Sequence, residues 1–313
     1  MLSEQDIQQL HQQLQPFSED MQEPELAQKW RSFYQLELNS LPCSVTNRFG
    51  CIYAAGFRVA VQTYEQAQAK GTVFILHGYF DHMGLYGNAI RWALAENFSV
   101  VCFDLPGHGL SSGQRAGIDS FSQYSEVFTA LVQHEYIQKL PQPWHVFAQS
   151  TGCSVITEYL LSRPFGDEFG TIMFLAPLVR PCSWMRSRLA FHMLKSVITS
   201  VKRVFSNNSH DAQFLSFLQR DPLQPLEIPT TWVGALNLWL EKVEAAPKGH
   251  RPIVLVQGGD DGTVDWQHNV PLIAHWFDLQ AQLFLPTAKH HLVNESANYR
   301  DEIFGFLSRQ LSR

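Results

Sequence analysis

Short apolar runs alternate with amphipathic stretches through most of the chain. The runs are Thr72–Leu76, Ser99–Phe103, Trp144–Phe147, Thr171–Leu175, Pro252–Val256 and Gln282–Leu285. Near-continuous apolar runs of this length are typical of strands that are buried on both faces of a parallel sheet. Helices are predicted between the runs, at about 83–96, 119–139, 151–162, 266–277 and 296–312. The repeated β–α order predicts an α/β fold with an open, mostly parallel, doubly wound sheet, whose ligand site lies beyond the carboxyl ends of the strands.

The start of the chain does not follow this alternation. Residues 1–40 have the pattern of a polar, Gln-rich helix that ends before the Leu41-Pro42 break, and a peripheral extension is expected there. Residues 51–64 are richer in apolar, β-branched and aromatic side chains. This change predicts an opening pair of antiparallel strands at one edge of the sheet.

Residues 178–250 interrupt the alternation a second time. They contain no strand-like run, but their helical stretches carry many large apolar side chains. These include Trp184, Met185, Leu189, Phe191, Met193, Leu194, Phe214, Phe217, Trp232 and Trp239. The pattern predicts an inserted helical cap. The expected division is an N-terminal helical extension (1–45), a core (46–177 and 251–313) and a cap insertion (178–250).

A serine lies where a nucleophile is expected. The run Trp144–Phe147 is followed by Ala148, Gln149, Ser150, Thr151 and Gly152, and then by helix-forming residues up to Pro164. A nucleophilic serine needs a sharp turn between strand and helix, with small residues two positions before and two after it. The alternative is a serine that only caps the helix, but the strand and helix context favours the nucleophile.

A serine nucleophile needs a base and an acid that orients the base. After the run Pro252–Val256, the segment Gly258–Asp265 contains three acids, Asp260, Asp261 and Asp265. Asp is also favoured in turns and at helix N-caps, so at least two of these acids have a structural explanation. After the last predicted strand, the base is one of two adjacent histidines, at 290 and 291.

The segment that follows Thr72–Leu76 is expected to stabilise an oxyanion. Its sequence is HGYFDH (residues 77–82), and the backbone N–H groups of Tyr79 and Thr151 are the predicted donors. Here His77 is expected to support the loop. A second glycine-rich segment, residues 104–113, lacks the spacing of a phosphate-binding loop and predicts a structural turn.

Composition and charge exclude several classes of function. Hydrophobic residues make up 45% and charged residues 17%, which is typical of a globular enzyme. The net charge of -6 gives no electrostatic support for binding nucleic acid or an anionic membrane, so a small-molecule partner is expected. The polar N-terminus lacks the pattern of a secretion signal and no apolar run is long enough to span a membrane, which predicts a soluble, cytoplasmic protein.

The cysteines and histidines do not indicate a metal. The five cysteines are Cys43, Cys51, Cys102, Cys153 and Cys182. They are widely spaced and form no CxxC pair, so buried reduced thiols are expected. No HExxH spacing occurs either, so neither a metal nor another cofactor is predicted.

Four motifs resemble those of the α/β-hydrolases in the monoacylglycerol lipase and lysophospholipase group, also described as serine aminopeptidase S33-like hydrolases. The motifs are HGYFDHMGLY (77–86), FDLPGHGLSSGQR (103–115), GGDDGTVD (258–265) and KHHLVNE (289–295). They are similar to the family's HGxxEHxxxY, DxxGHGxSxGxR, GxxDxxVD and GHxLxxE. The resemblance covers about residues 50–310 and implies the α/β-hydrolase fold. It also implies that Asp261 and His290 complete the catalytic triad of Ser150.

The resemblance further implies a serine hydrolase that cleaves a carboxylic ester, of lysophospholipid or monoacylglycerol type, through an acyl-enzyme. In this family the cap covers the acyl site, and the predicted substrate contacts are Phe80, Gln149, Trp184 and Trp232. The chain departs from the family pattern at Ala148, Gln149 and Cys153. A proline iminopeptidase is disfavoured because HGYF replaces the GGPG-type loop of those enzymes.

Two other functions are compatible with the same residues. Acyl transfer to an acceptor other than water uses the same triad, and the fold also hosts non-catalytic binding proteins. Dehalogenase and epoxide hydrolase chemistry would need an Asp in place of Ser150. The oligomeric state is not predicted.

Overall fold

An eight-stranded sheet forms the centre of the structure, a computed structural model that describes residues 2–37, 44–163 and 168–311. The strands in these residues are β1 (Val45–Ala54), β2 (Phe57–Gln66), β3 (Thr72–Leu76), β4 (Ser99–Phe103), β5 (Trp144–Gln149), β6 (Phe169–Leu175), β7 (Ser200–Lys202), β8 (Glu227–Pro229), β9 (Arg251–Gly258) and β10 (Phe277–Leu285). The central sheet has the order β1-β2-β4-β3-β5-β6-β9-β10, and β7 pairs with β8 in a separate sheet. From β4 to β10 all neighbouring strands of the central sheet are parallel, which confirms the predicted α/β architecture.

Helices cover both faces of the sheet. They are α1 (Glu4–Gln13), α2 (Ala27–Phe33), α3 (Gly87–Ala95), α4 (Phe121–Val132), α5 (Thr151–Leu161), α6 (Trp184–Leu194), α7 (Ala212–Leu218), α8 (Thr230–Val243), α9 (Trp266–Trp276) and α10 (Ala297–Leu311). Short 3₁₀ turns occur at Met83–Tyr86, Ile137–Lys139 and Leu292–Asn294. In the part of the chain that the structure describes, no helix is both long and apolar enough to cross a membrane.

The central strands are apolar throughout because both of their faces are buried. In β3, Val73 and Ile75 belong to the core that contains buried residues of α3 and α10. The alternate residues Phe74 and Leu76 belong to the opposite core, with residues of α4, α5 and α9. Successive side chains of a strand point to opposite faces, so a strand between two helical layers needs apolar residues at every position.

The predicted opening strands form an antiparallel hairpin, β1 with β2, in direct register from Val45–Gln66 to Ala54–Phe57. The turn between them consists of Ala55 and Gly56, which both have positive φ, of 49° and 81°. Two residues with positive φ form the type of turn whose twist matches paired strands, and glycine adopts that conformation without strain.

The sequence predicts a peripheral extension at the N-terminus, but in the structure this segment packs on the hairpin of β1 and β2. The N–H of Phe17 donates to the carbonyl oxygen of Cys51 at 2.8 Å, and Trp30 is fully buried with its ring centroid 5.0 Å from that of Phe49. The polar composition of this segment hides the few apolar residues that it buries. The predicted break at Leu41-Pro42, like Cys43 and Pro164, lies outside the described residues.

The chain between β6 and β9 forms an insertion with three helices, α6, α7 and α8. It also contains the antiparallel pair of β7 and β8, so the prediction that this region has no strand was wrong. Each of these strands has three residues, which is too short for an alternating pattern to be recognised.

The cysteines of the described residues are free thiols. Cys51, Cys102 and Cys153 are buried, as expected. Cys182 is partly exposed, because it follows β6 at the start of the insertion and lines the cavity described below.

Candidate active site

Ser150 lies on a strained turn between β5 and α5. Its φ of 52° and ψ of -114° are unusual for a residue with a side chain. The turn brings α5 so close to β3 that a Cβ atom on Gly152 would lie 2.7 Å from the carbonyl oxygen of Leu76. Glycine is therefore required at this position, and the serine side chain is presented at the carboxyl end of the sheet.

Two of the three departures from the family pattern, Ala148 and Cys153, fit this turn. Ala148 is fully buried in β5, where a methyl group is accommodated in the core. Cys153 is also buried, and its thiol donates to the carbonyl oxygen of Ala148 at 3.1 Å. Neither substitution displaces Ser150 from the turn.

Three side chains from separate loops meet at this point. The hydroxyl of Ser150 donates to Nε2 of His290 at 3.0 Å, and Nδ1 of His290 donates to Oδ2 of Asp261 at 2.8 Å. All three residues are at most 6% exposed. Asp261 follows β9 and His290 follows β10, so the parallel sheet brings the three loops to one edge. The geometry is that of a serine activated by an imidazole whose orientation a carboxylate fixes.

The other two acids of the β9 loop have structural partners. Asp265 caps α9 and forms an ion pair with Arg180 at 2.8 Å. Asp260 lies in the turn, where its N–H donates to the carbonyl oxygen of Ala288 at 3.0 Å. Asp261 alone contacts an imidazole among the acids of this loop, and its second oxygen accepts the N–H groups of the next residues along the loop.

Burial and charge have opposite effects on the pKa of Asp261, and also on the pKa of His290. Burial lowers the pKa of His290, but the charge and hydrogen bond of Asp261 outweigh it, so this pKa is raised from its ordinary value of 6.5. Burial raises the pKa of Asp261, but the charge and hydrogen bond of His290, with the N–H groups of Val264 and Thr263, lower it overall. Asp261 is therefore ionised at neutral pH and stabilises the imidazolium that forms when His290 accepts a proton.

His291, the other histidine of the sequence analysis, contacts a different acid. Its Nε2 donates to Oδ1 of Asp81 at 3.2 Å. The hydroxyl of Tyr86 also donates to Asp81, at 3.0 Å, and accepts the N–H of Gly78 at 2.9 Å. Burial raises the pKa of Asp81, but the charge and hydrogen bond of His291 lower it well below the ordinary range. This second pair connects the loop of the base to residues 77–82, which we call the oxyanion loop.

Gln149, which the sequence analysis expects to contact substrate, is only 1% exposed and does not line the cavity beside Ser150. Its Oε1 accepts the N–H of Val293 at 3.0 Å, and its Nε2 lies 3.4 Å from Nδ1 of His291. Successive side chains of a strand point to opposite faces of the sheet. The side chain of Gln149 therefore points away from those of its neighbours and toward the loop after β10. Its observed contacts position the loop that carries His290.

Two backbone donors lie near the serine, one on the oxyanion loop and one at the start of α5. Among the described residues, neither the N–H of Tyr79 nor that of Thr151 donates to a protein acceptor. Thr151 is the first residue of α5, where helix N–H groups have no partner within the helix. Gly78 lies between them, and a Cβ atom there would be 3.2 Å from the Cβ atom of Ser150.

The glycine-rich segment 104–113 supports the oxyanion loop and has no phosphate-binding geometry. Asp104 accepts the N–H groups of Met83 and Leu110 at 2.8 and 2.7 Å. The N–H of Leu105 donates to Nε2 of His77 at 2.9 Å, so His77 supports the loop as expected. These contacts account for a structural turn.

A cavity of about 260 Å³ opens beside Ser150 and His290. Phe80, Trp184 and Trp232, the predicted substrate contacts, are among the residues that line it. The ring of Trp232 stacks on that of Tyr79, with centroids 3.8 Å apart and planes 19° apart. The insertion therefore forms one wall of the cavity and contacts the oxyanion loop directly.

Sequence reasoning did not identify every residue of this cavity. Arg203 lines it from the insertion, and no motif or spacing marks this residue. Asp81 also lines it, and so does His291, the second of the two histidines that the sequence offers as the base. Asp81 occupies the position at which the family motif HGxxEHxxxY has Glu. This correspondence was the only feature of the sequence that could have identified Asp81. No cluster of His, Cys, Asp and Glu that could hold a metal occurs in the described ranges.

Comparisons with known proteins identify the family of this chain. The serine aminopeptidase S33 family matches residues 67–297. A monoglyceride lipase homolog of Monkeypox virus is 27% identical over 248 residues, covering 75% of this chain and 86% of the viral protein. Phospholipase YtpA of Bacillus subtilis is 24% identical over 229 residues, covering 69% of this chain and 84% of that protein.

Solved structures show the same fold at lower identity. Monoacylglycerol lipase of Paleococcus ferrophilus is 18% identical, with a TM-score of 0.64 over 85% of this chain and 99% of that chain. A soluble variant of monoglyceride lipase from Saccharomyces cerevisiae is 14% identical, with a TM-score of 0.71 over 89% of this chain and 97% of that chain. The family match spans most of the sequence, and the chain therefore belongs to the serine aminopeptidase S33 family, as an α/β-hydrolase of the monoacylglycerol lipase group.

Proposed function

We propose that this chain is a serine hydrolase that cleaves the carboxylic ester of a monoacyl lipid through an acyl-enzyme. The observation that carries the proposal is the continuous hydrogen-bonded series from Ser150 to His290 to Asp261, with distances of 3.0 and 2.8 Å, at the edge of a largely apolar cavity. A serine that only caps a helix has no need of a buried imidazole and carboxylate.

In the proposed mechanism, the hydroxyl of Ser150 attacks the ester carbonyl while His290 accepts its proton. The N–H groups of Tyr79 and Thr151 stabilise the oxyanion, and His290 then protonates the departing alcohol. Water attacks the acyl-enzyme in the reverse sequence of proton transfers and releases the fatty acid. Asp261 keeps the imidazole in the tautomer that accepts the serine proton.

The lipid substrate is supported by the cavity lining and by the relatives. The walls include Trp184, Trp232, Leu178 and Val233, which provide apolar contact for an acyl chain. The named relatives include monoacylglycerol lipases and a phospholipase. These proteins share an ester between a fatty acid and glycerol in the substrates that their names state, and we extend that substrate class to this chain.

We also propose that residues 178–250 act as a cap over the core formed by 46–177 and 251–313, with 1–45 as an N-terminal extension. Support comes from the contact of Trp232 with the oxyanion loop. The outer side of α6 exposes large apolar side chains, among them Met185 and Met193, which are 66% and 64% exposed. Exposed apolar side chains of this size are typical of a surface that meets an apolar partner, here the lipid that supplies the substrate.

The test is the labelling of Ser150 by a fluorophosphonate, followed by intact-mass measurement and mapping of the modified peptide. We expect one label on the wild type, none on Ser150→Ala, and full labelling of Ser187→Ala, a control at another serine beside the cavity. Monoacylglycerols and p-nitrophenyl esters of graded chain length should then be hydrolysed. A folded wild type that is neither labelled nor active on these esters would contradict the proposal and favour a binding protein.

A further inference from the structure

Arg203 lies on the wall of the catalytic cavity, directly after β7 in the insertion. Its guanidinium carbon is 4.0 Å from the ring centroid of Phe80 and 4.3 Å from that of Phe205. Phe80 follows Tyr79, whose N–H we assign to the oxyanion site. The guanidinium is therefore fixed between two aromatic rings, close to where the ester carbonyl would react.

The hydrogen bonds of Arg203 leave part of its guanidinium free. Nη1 donates to Oε1 of Gln224 at 2.8 Å and to the carbonyl oxygen of Pro225 at 3.1 Å. Within the described part of the chain, Nε and Nη2 donate to no acceptor. The side chain is thus held by one nitrogen, while the edge suited to a bidentate contact remains available.

Arg203 also lacks a carboxylate partner among the described residues. Asp81 and Asp221 are close enough to act on it electrostatically, but neither forms an ion pair with it. Each has another partner, because Asp81 contacts His291 and Asp221 accepts a hydrogen bond from His82 at 2.8 Å. The cation therefore retains its full charge beside the cavity.

Burial lowers the pKa of Arg203 to about 10, so it stays protonated at neutral pH. Only the charges of Asp81 and Asp221, without a direct ion pair, offset the desolvation of this partly buried cation, so its burial costs stability. Its retention beside a substrate cavity is explained if the substrate supplies the anion. Its guanidinium has the planar arrangement of donors that matches the oxygens of a phosphate.

We propose that Arg203 binds a phosphate on the alcohol side of the substrate, so that the enzyme prefers monoacyl glycerophospholipids to neutral monoacylglycerols. This inference rests on the proposed function. In such a lipid, the glycerol unit separates the reacting ester from the phosphate. In the structure, other residues of the oxyanion loop likewise separate Ser150 from the ring of Phe80, on which Arg203 stacks. A neutral monoacylglycerol would leave the free donors of Arg203 unpaired.

The experiment compares two substrates with the same acyl chain, 1-oleoylglycerol 3-phosphate and 1-oleoylglycerol, in identical mixed micelles. The wild type should show the higher kcat/KM on the phosphate lipid. In Arg203→Gln, the ratio of the two kcat/KM values should fall at least tenfold, because the charge-assisted hydrogen bonds from the guanidinium to the phosphate are lost. The loss should lie mainly in KM for the phosphate lipid, because the phosphate does not change charge during the reaction.

Two further variants separate recognition from structure. Arg203→Lys keeps the charge without the bidentate geometry and should give an intermediate ratio. Arg309→Gln removes the same charge from an exposed site on α10, which contributes no residue to the cavity, and should leave the ratio unchanged. Equal losses of Arg203→Gln on both lipids, or an unchanged ratio, would overturn the inference.

The same assay distinguishes failure of this inference from failure of the proposed function. If the wild type hydrolyses 1-oleoylglycerol and is labelled at Ser150, but shows no dependence of the substrate ratio on Arg203, only the phosphate site is wrong. If the wild type is neither labelled nor active on either lipid, the hydrolase mechanism is wrong, and the phosphate preference with it.

Discussion

Replacement of His291 should mainly reduce stability, whereas replacement of His290 should mainly reduce catalysis. In His291→Leu, the carboxylate of Asp81 keeps the hydroxyl of Tyr86 at 3.0 Å but loses its imidazole partner. Removing one partner of a buried pair typically costs 3–5 kcal/mol, and the remaining hydrogen bond places this case at the low end, about 3 kcal/mol. An entropy of unfolding of about 2.1 cal/mol/K per residue over a chain of this length then gives a decrease in Tm of about 5 °C.

The loss of kcat should be larger when His290 is replaced than when His291 is replaced. His290→Ala removes the base and should lower kcat by at least about 10³-fold. In this variant Asp261 keeps the N–H groups of Thr263 and Val264 and the amide of Gln257 as donors, so the loss of stability should be smaller than in His291→Leu. In His291→Leu the base remains, but the connection between its loop and the oxyanion loop is lost. A shift of these loops by a fraction of an ångström should lower kcat between about tenfold and 100-fold.

The measurements are thermal and urea unfolding for stability and single-turnover kinetics with a p-nitrophenyl ester for chemistry. His291→Gln retains a donor for Asp81 and is the matched control, with a smaller loss of stability than His291→Leu. The deficit of His291→Leu should shrink as the pH falls through the raised pKa of the unpaired Asp81, because protonation removes the buried charge. If His291→Leu remains stable and is as inactive as His290→Ala, the assignment of the two histidines is wrong.

Two further substitutions test the turn and the acid. Gly152→Ala places a methyl group 2.7 Å from the carbonyl oxygen of Leu76 and should destabilise the fold by at least about 3 kcal/mol in urea unfolding. Gly305→Ala, inside α10, adds a methyl group that meets only the Arg309 side chain at 3.8 Å and should be neutral or stabilising, so equal effects of the two variants would contradict the packing argument. Asp261→Asn should lower kcat about 10⁴-fold. Because Asp261 raises the pKa of His290 and the base acts in its neutral form, the acid limb of the residual kcat/KM profile should move to lower pH, and a shift to higher pH would contradict the electrostatic assignment.

The sequence predicts the interior of the sheet better than its edges. The bounds predicted for β3 and β4 coincide with those observed, because these strands are buried on both faces and every position is apolar. In β10, the prediction began at Gln282, whereas the strand begins at Phe277. This strand lies at the edge of the sheet, where exposed and less exposed positions alternate, so the first half does not form an apolar run.

Only part of the candidate site could be predicted from the sequence. The spacing around Ser150 identifies a turn because packing allows only small side chains there, and this requirement is visible in the residues themselves. Arg203 and Phe205 come from an insertion whose fold depends on contacts with the core, whereas Phe80 belongs to the oxyanion loop. No local pattern specifies which arginine of an irregular segment reaches a cavity, so this residue could be found only from the structure.

The adjacency of the two histidines has a physical consequence for the loop after β10. Residues 290 and 291 direct their rings to two different acids, Asp261 on the β9 loop and Asp81 on the oxyanion loop. Each acid has its pKa lowered by its histidine, so both connections depend on ionised, buried carboxylates. One short segment therefore fixes the base relative to both the acid that orients it and the loop that carries a proposed oxyanion donor, Tyr79. The distance between base and oxyanion donor, on which the proposed chemistry depends, is set by this pair of contacts and not by the sheet alone.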